Sequence, residues 1–141
     1  MEYFAVYYKI RRHQKKQLAL QKEYDEKKKH VKHADDYANI SHTYRFEDQI
    51  IQEDIDVLIT NYLTRLACRN FIPISSEDDF WINCEYQHAG RRVLTSKGVS
   101  NIRSLIRIEK RDKISISIQL VSVLIGLIGS LTGLVAIVLT K

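Results

Sequence analysis

The sequence predicts a mainly α-helical protein with one small β-hairpin and a single transmembrane helix at its C-terminal end. Three observations predict this fold class. The run from Leu120 to Leu139 has no charged residue, and apolar residues between Phe46 and Arg69 recur at steps of three and four. Residues 71–98 contain short runs of β-branched and aromatic residues, which is typical of strands. We therefore expect a basic helical segment (1–40), a small α+β cytosolic domain (44–113) and a membrane anchor (114–140).

The N-terminal segment is strongly basic. From Lys9 to His33, ten Lys or Arg residues stand against three acidic residues, a net charge of +7 in a chain whose total is +5. Neither Gly nor Pro occurs before Pro73, which favours a helix. Membrane lipid or a partner protein fits these cations better than nucleic acid, because a tethered chain keeps lipid at high local concentration. A solvated helix face is the alternative. The candidate contact face comprises Lys9, Arg11, Arg12, Lys15 and Lys16.

A seven-residue recurrence runs along the same segment. It places six residues on one seam, namely Tyr3, Ile10, Gln17, Tyr24, Val31 and Ala38. This spacing is typical of coiled coils, although the companion positions mix apolar and polar residues. The pattern leaves three structures open: a coiled coil, a helix lying on the membrane surface, and a free helix. Residues 41–45 are predicted to form a joint after it.

The stretch from Phe46 to Arg69 is predicted to be an amphipathic helix. Its apolar residues line one face. Carboxylates crowd its N-terminal half, and Arg65 and Arg69 occupy its last turns, which suits the helix dipole. Asn70 and Pro73 are expected to end it.

The next stretch predicts a hairpin followed by a second helix. Phe80 to Tyr86 and Arg91 to Thr95 are expected to be strands joined at 87–90, with Gly90 at positive φ and Trp81 as an apolar anchor. Thr95 is a candidate N-cap for a helix that continues into the membrane. The predicted buried side of that helix contains Val99, Ile102, Leu105 and Ile106.

The order helix, hairpin, helix, closed by Leu94-Thr95-x-x-Gly98, resembles the end of a winged-helix domain. In that family the helix before the hairpin reads DNA. In this sequence the N-terminal half of that helix is acidic and would repel DNA phosphates, which argues against nucleic acid as a partner. The resemblance therefore implies only a similar arrangement of helix and hairpin. The arrangement is also similar to small bacterial proteins with a cytosolic domain and one C-terminal anchor. That likeness implies a bacterial inner membrane.

The apolar run is long enough to cross a bilayer. A hydrocarbon core of about 30 Å needs about 20 helical residues at about 1.5 Å each. The N-terminus does not resemble a secretory signal, because its short apolar run, Tyr3 to Tyr8, precedes the basic residues instead of following them. Lys and Arg stay on the cytoplasmic side of a span, so we expect a single-pass, tail-anchored protein with a cytoplasmic N-terminal domain. The orienting cations are Arg103, Arg107, Lys110, Arg111 and Lys113.

Small residues form a stripe on the span. Gly126, Gly129, Gly133 and Ala136 fall on one helix face, and Gly129-x-x-x-Gly133 has the spacing that lets two helices approach closely. This stripe predicts a homo-oligomer or association with another membrane protein.

Two groups of residues are candidates for chemistry. His30-x-x-His33 with Asp35 and Asp36 could supply metal ligands, but no third ligand at a defined spacing accompanies them. Cys84 and His88 could act as nucleophile and base, but the spacing is weak evidence. With Cys68 and Cys84 the only cysteines, reduced thiols are expected. We therefore expect no enzyme activity, no cofactor, no metal and no small-molecule substrate.

Two functional classes follow from these patterns. The first is an accessory subunit that mediates protein–protein interaction through its cytosolic helices and the small-residue face of its span. The alternative is a small membrane-active effector, of the defence or toxin type, that oligomerises and perturbs the membrane. The first class is favoured, because the pattern of residues 46–69 indicates a structured soluble domain.

We expect a cysteine placed after Lys141 to react with a membrane-impermeant maleimide in intact cells, because the basic flank retains the N-terminal domain in the cytoplasm. Cys68 is the internal control and should react only after permeabilisation. Labelling of Cys68 in intact cells, with an unreactive residue after Lys141, would show the opposite orientation.

Overall fold

The computed structural model describes the backbone of residues 2–31 and 33–139, and the side chains of residues 3–31 and 33–132. Within these residues the elements follow the order α1 (Glu2–His30), α2 (Ala34–Arg69), β1 (Trp81–Asn83), β2 (Arg92–Leu94) and α3 (Ser96–Leu139). The predicted fold class, mainly helical with one small antiparallel hairpin, is confirmed. The chain divides into two compact units, Met1–Arg103 and Ser104–Lys141.

Helices α1 and α2 pack against each other as an antiparallel pair. The ring of Tyr3 lies 6.2 Å from that of Tyr62, and the Tyr24 ring stacks on the Tyr44 ring at 4.5 Å between centroids. From Val6 to Tyr24 the seven-residue recurrence and its companion positions therefore face α2 of the same chain. The later part of the pattern does not, because Lys27 is exposed and Ala34 and Ala38 lie on α2 itself. The half-buried residues of this seam are Val6, Ile10, His13, Gln17, Leu20 and Tyr24.

The predicted joint at residues 41–45 is wrong, because α2 is continuous from Ala34 to Arg69. These residues stay helical because Tyr44 packs on α1, where its hydroxyl donates a hydrogen bond to the Gln21 side chain and its ring covers Tyr24. The predicted boundary between residues 1–40 and 44–113 thus falls inside α2.

The chain turns instead between the end of α1 and the start of α2. Basic residues fill the last turn of α1, Lys27–His30, and Asp35 and Asp36 occupy the first turn of α2. Each set of charges opposes the partial charge of its own helix end, so both favour a helix boundary at this point. This charge pattern was present in the sequence and marks the turn better than the polar residues 41–45.

Helix α2 ends where the sequence predicted. The backbone N–H of Asn70 donates to the Ala67 carbonyl over 3.0 Å, and its side-chain amide donates to the Leu66 carbonyl over 2.8 Å. Phe71 then adopts a left-handed φ of 56°, which turns the chain away from the helix axis before Pro73.

The two strands are shorter than the predicted ranges Phe80–Tyr86 and Arg91–Thr95. Their register pairs Trp81 with Leu94, Ile82 with Val93 and Asn83 with Arg92. The first strand stops because the backbone N–H groups of Glu85 and Tyr86 donate to the Glu53 carboxylate of α2 rather than to a neighbouring strand. The prediction for Gly90 is confirmed, since its φ is +83° in the connecting loop.

The core of the first unit lies between α2, the hairpin and the start of α3. Its buried apolar residues include Val57, Leu63, Ala67, Ile72, Cys84, Val93, Leu94 and Ile102. Thr60 is buried among them, and its hydroxyl accepts a hydrogen bond from the Leu94 N–H over 2.9 Å, which fixes β2 against α2. Leu58, on the apolar face predicted for this helix, is half-buried. Trp81 is also half-buried, with its indole N–H donated to the Ser75 carbonyl over 2.8 Å.

Thr95 caps α3 as predicted. Its hydroxyl accepts a hydrogen bond from the Gly98 N–H over 3.2 Å and donates one to the Asp79 carbonyl over 2.9 Å. A Cβ at Gly98 would lie 2.5 Å from the Phe80 carbonyl oxygen, so this close approach of backbones requires glycine. Ile102 and Ile106 are buried, whereas Val99 and Leu105 are half-buried. Helix α3 continues without a break to Leu139.

We expect Leu63→Ala to lower the free energy of unfolding by about 2–5 kcal/mol, because Leu63 is 4% exposed and its loss leaves a cavity. Urea titration of the detergent-solubilised chain, followed by the fluorescence of Trp81, measures this change. Leu18→Ala is the matched control, because Leu18 is 64% exposed and should cost less than about 0.5 kcal/mol. An equally small effect at Leu63 would contradict its place in the core.

Candidate functional site: the exposed apolar helix and the charged faces

One helix among the described residues, α3, is long and apolar enough to cross a membrane, and its most apolar part has no buried residue. From Ile114 to Leu131 every large apolar side chain is exposed, as shown by Ile125 at 65%. An exposed apolar surface of this extent marks a membrane or protein contact. The candidate single-pass membrane helix predicted from the sequence is therefore present.

Three hydroxyl groups in the apolar part of α3 donate hydrogen bonds to carbonyls of the same helix. Ser122 donates to the Ile118 carbonyl over 3.0 Å, Ser130 to the Leu127 carbonyl over 2.8 Å, and Thr132 to the Ile128 carbonyl over 3.0 Å. A polar group without a partner is costly in hydrocarbon. These bonds make the few hydroxyls of the span compatible with lipid.

The predicted small-residue stripe lies on α3. A Cβ added to Gly126 or Gly129 would meet no atom within 4 Å, so the surface beside both glycines is open. Gly133 and Ala136 also fall on the backbone of α3, but their surroundings lie outside the described side chains.

Because α3 is one uninterrupted helix, the stripe is longer than the four residues predicted from the sequence. Steps of four and three place Ser115, Gln119 and Ser122 in line with the predicted small residues. The complete set is Ser115, Gln119, Ser122, Gly126, Gly129, Gly133 and Ala136. We call this set the small-residue seam, because all its members except Gln119 are small. Two interleaved seven-residue repeats, 115-122-129-136 and 119-126-133, could have identified it from the sequence.

The orienting cations precede the apolar stretch on α3, and all five are exposed. Arg103 belongs to the first compact unit, whereas Arg107, Lys110, Arg111 and Lys113 belong to the second. Lys113 forms an ion pair with Glu109 over 3.3 Å. Arg111 and Lys113 lie within one turn of Ile114, where the uncharged stretch begins.

The candidate basic face lies on α1. Lys9, Arg11, Arg12, Lys15 and Lys16 are all exposed. The Arg11 guanidinium donates to the Tyr7 hydroxyl over 2.9 Å and lies 5.3 Å from the centre of its ring. The structure thus places an aromatic residue directly beside the predicted cations.

Glu53 is a positioning residue that the sequence analysis missed. Its carboxylate accepts backbone hydrogen bonds from Glu85 over 2.6 Å, from Tyr86 over 2.9 Å and from His88 over 3.3 Å. Burial raises the pKa of Glu53, but the backbone donors outweigh burial and hold the pKa below its ordinary value of 4.5. Glu53 therefore anchors the hairpin loop on α2, and no short-range sequence signal marks this role.

The adjacent Asp54 lies between two histidines. His88 Nε2 lies 2.8 Å from one oxygen of Asp54, and His13 Nδ1 lies 3.6 Å from the other. Among the described residues, His13 Nδ1 is buried without a hydrogen-bond partner. The group joins α1, α2 and the hairpin loop through side chains that are far apart in the sequence.

The two sequence candidates for chemistry are not assembled into sites. The Cys84 thiol is 6% exposed, and burial followed by the nearby Glu53 and Asp56 charges raises its pKa, which disfavours the reactive thiolate. His88 is oriented towards Asp54. His30 and His33 are exposed, and no group of three or more His, Cys, Asp or Glu within the described residues is arranged to hold a metal ion.

No protein-family model matches this chain, and neither a curated protein nor a solved structure shows significant similarity to it.

The Leu94-Thr95-x-x-Gly98 motif, on which the winged-helix resemblance rested, has a local role here. Thr95 caps α3, and Gly98 permits contact with the Phe80 backbone. The motif therefore explains the junction of hairpin and helix.

We expect Glu53→Gln to reduce the free energy of unfolding by about 1 kcal/mol at neutral pH, because a half-buried charged acceptor of backbone N–H groups is replaced by a neutral one. The pKa of Glu53 is lower in the folded state than in the unfolded state. Its stabilisation is therefore complete above pH 4.5 and is lost as the pH falls through the folded pKa.

Urea titrations across this pH range, followed by Trp81 fluorescence, should show the difference between wild type and Glu53→Gln shrink on acidification. Glu85→Gln is the charge-matched control in the adjacent loop, because the Glu85 side chain is exposed. A difference that is independent of pH would contradict the role of the Glu53 carboxylate.

Proposed function

We propose that this protein is a membrane-anchored interaction subunit. Helix α3 holds the chain in the bilayer, and the first compact unit presents its helices in the cytoplasm. The small-residue seam binds a second transmembrane helix, from another copy or from another membrane protein. No catalytic step, cofactor or metal is part of this proposal.

The observation that carries the proposal is the open surface at Gly126 and Gly129 on an otherwise apolar, unburied helix. In lipid, the association of helices depends on close packing, since lipid tails cover isolated apolar side chains equally well. Glycine lets two backbones approach, and weak Cα–H···O contacts then add to dispersion. A second helix fills the space that the glycines leave.

The polar members of the seam support the same role. Ser115, Gln119 and Ser122 precede the glycines on the same side of α3, and polar side chains can form hydrogen bonds between transmembrane helices. The seam positions are on average 3.5 residues apart, which matches a left-handed pair of helices that cross at a small angle. The seam is thus suited to specific pairing along several turns.

Charge supports a cytoplasmic position for the first unit. Arg107, Lys110, Arg111 and Lys113 precede the uncharged stretch, and such cations resist transfer across the membrane. The first unit has a packed core between α2, the hairpin and the start of α3. Its outer surfaces can therefore contact a cytoplasmic partner while the core remains intact.

The alternative, a membrane-active effector, would use the same seam to surround a polar channel. Ser115, Gln119 and Ser122 are the side chains available for it. After Ser122 the seam consists of Gly and Ala, so it offers no polar side chain to line the rest of a channel. An interaction subunit is therefore the better supported function.

We expect Gly129→Ile to abolish most crosslinking of α3 to its partner helix in native membranes, because the added side chain separates the two backbones. The variant should still fractionate with membranes, since the span stays apolar. Leu127→Ile is the matched control, because Leu127 lies on another face of α3 and should retain parental crosslinking at equal expression.

Parental crosslinking by Gly129→Ile would show that the seam faces lipid. A vesicle dye-release assay on the same variants separates the two functions. Release by the parent that is lost in Gly129→Ile would favour the effector, whereas intact vesicles with glycine-dependent crosslinking support the interaction subunit.

A further inference from the structure

We propose that the side of α1 turned away from α2 docks on the anionic lipid leaflet that surrounds the chain's own span. This surface, the outward face, follows steps of four and three along the helix. It comprises Phe4, Tyr8, Arg11, Lys15, Leu18 and Lys22. The inference rests on the membrane anchoring proposed above and adds a second contact with the bilayer.

The packing of α1 defines this face. Ile10, His13 and Gln17 on the opposite side of the helix are half-buried against α2, whereas all six outward residues are exposed. Phe4 is 74% exposed and Tyr8 is 73% exposed. The fold of the first unit leaves the outward face available for a flat partner along about five turns of helix.

The charged residues of α1 between Tyr3 and Lys22 are all positive. From Tyr3 to Lys22 there is no acidic residue, and its Lys and Arg residues are Lys9, Arg11, Arg12, Lys15, Lys16 and Lys22. Within the described residues, none of these cations forms an ion pair with a carboxylate; the first acidic residue of α1 after them, Glu23, is paired with Lys27 over 2.6 Å. Each Lys or Arg near an anionic leaflet contributes about 1 kcal/mol of binding.

The apolar members favour lipid among anionic partners. Phe4, Tyr8 and Leu18 share the outward face with cations such as Arg11 and Lys15, and such a mixture suits the boundary between headgroups and acyl chains. Nucleic acid shares the negative charge, but it must be recruited from solution. Lipid is held beside the face by the span of the same chain, which raises its effective concentration.

The test places the full-length chain in lipid nanodiscs, with an environment-sensitive fluorophore on Ala19→Cys in a Cys68→Ser background. Ala19 is exposed beside the outward face, and Cys84 is buried. In discs that contain phosphatidylglycerol, we expect a blue-shifted emission that spin-labelled lipid quenches. The shift should be absent in phosphatidylcholine discs and should disappear in about 1 M salt, where the Debye length is about 3 Å.

Matched charge reversals identify the surface. Lys15→Glu combined with Lys22→Glu should lower the ratio of docked to free α1 at least about tenfold. Arg65→Glu combined with Arg91→Glu changes the net charge equally at exposed positions outside α1, and it should keep the ratio within about twofold. Urea titrations followed by Trp81 fluorescence establish that both double variants retain the parental fold.

Each contrary result has a defined meaning. A chain that does not enter the discs overturns both the membrane anchoring and the docking. A chain that enters the discs without an emission shift, or with the same shift in both lipids, overturns the docking alone. The docking is also overturned if the shift appears only after phosphatidylglycerol vesicles or single-stranded RNA are added to the discs, because the face would then serve an opposed membrane or nucleic acid.

Discussion

The apolar stretch of α3 constrains the rest of this chain, because no other described residue covers it. Ile, Leu and Val side chains of this extent are poorly tolerated in water, whereas a bilayer solvates them and a helix satisfies its own backbone hydrogen bonds. The serine and threonine hydroxyls follow the same requirement, since those of Ser122 and Thr132 donate to carbonyls of their own helix. Placement in a membrane accounts for these features together.

Within lipid, the small-residue seam is the feature that distinguishes one side of α3 from the others. Bulky residues such as Leu124 and Ile128 interact about as well with lipid tails as with another helix, so they provide little preference for a protein partner. Gly126 and Gly129 expose backbone over open space, which only another helix can fill closely. An anchor alone would not need this arrangement, which is why we propose that the seam mediates association with a second helix.

The charges of the first unit have two separate uses. Carboxylates on α2 act within the fold: Glu53 binds backbone N–H groups of the hairpin loop, and Asp54 lies between His13 and His88. Cations on the outward side of α1 make no comparable internal contact and remain exposed. These two carboxylates thus serve contacts within the fold, whereas the cations of the outward face remain on the surface, which suits a protein held close to anionic lipid.

Features that depend on neighbouring residues could be predicted from the sequence alone. The uncharged span, the Thr95 cap, the positive φ of Gly90 and the end of α2 at Asn70 each depend on residues within one or two helical turns. The continuous helix through residues 41–45, the short strands and the role of Glu53 required the tertiary structure. They depend on contacts such as Tyr44 with Gln21 and Glu85 with Glu53, which are 23 and 32 positions apart. A local sequence pattern does not indicate which distant residue satisfies a backbone N–H or covers an aromatic ring, because those contacts form only when the helices pack.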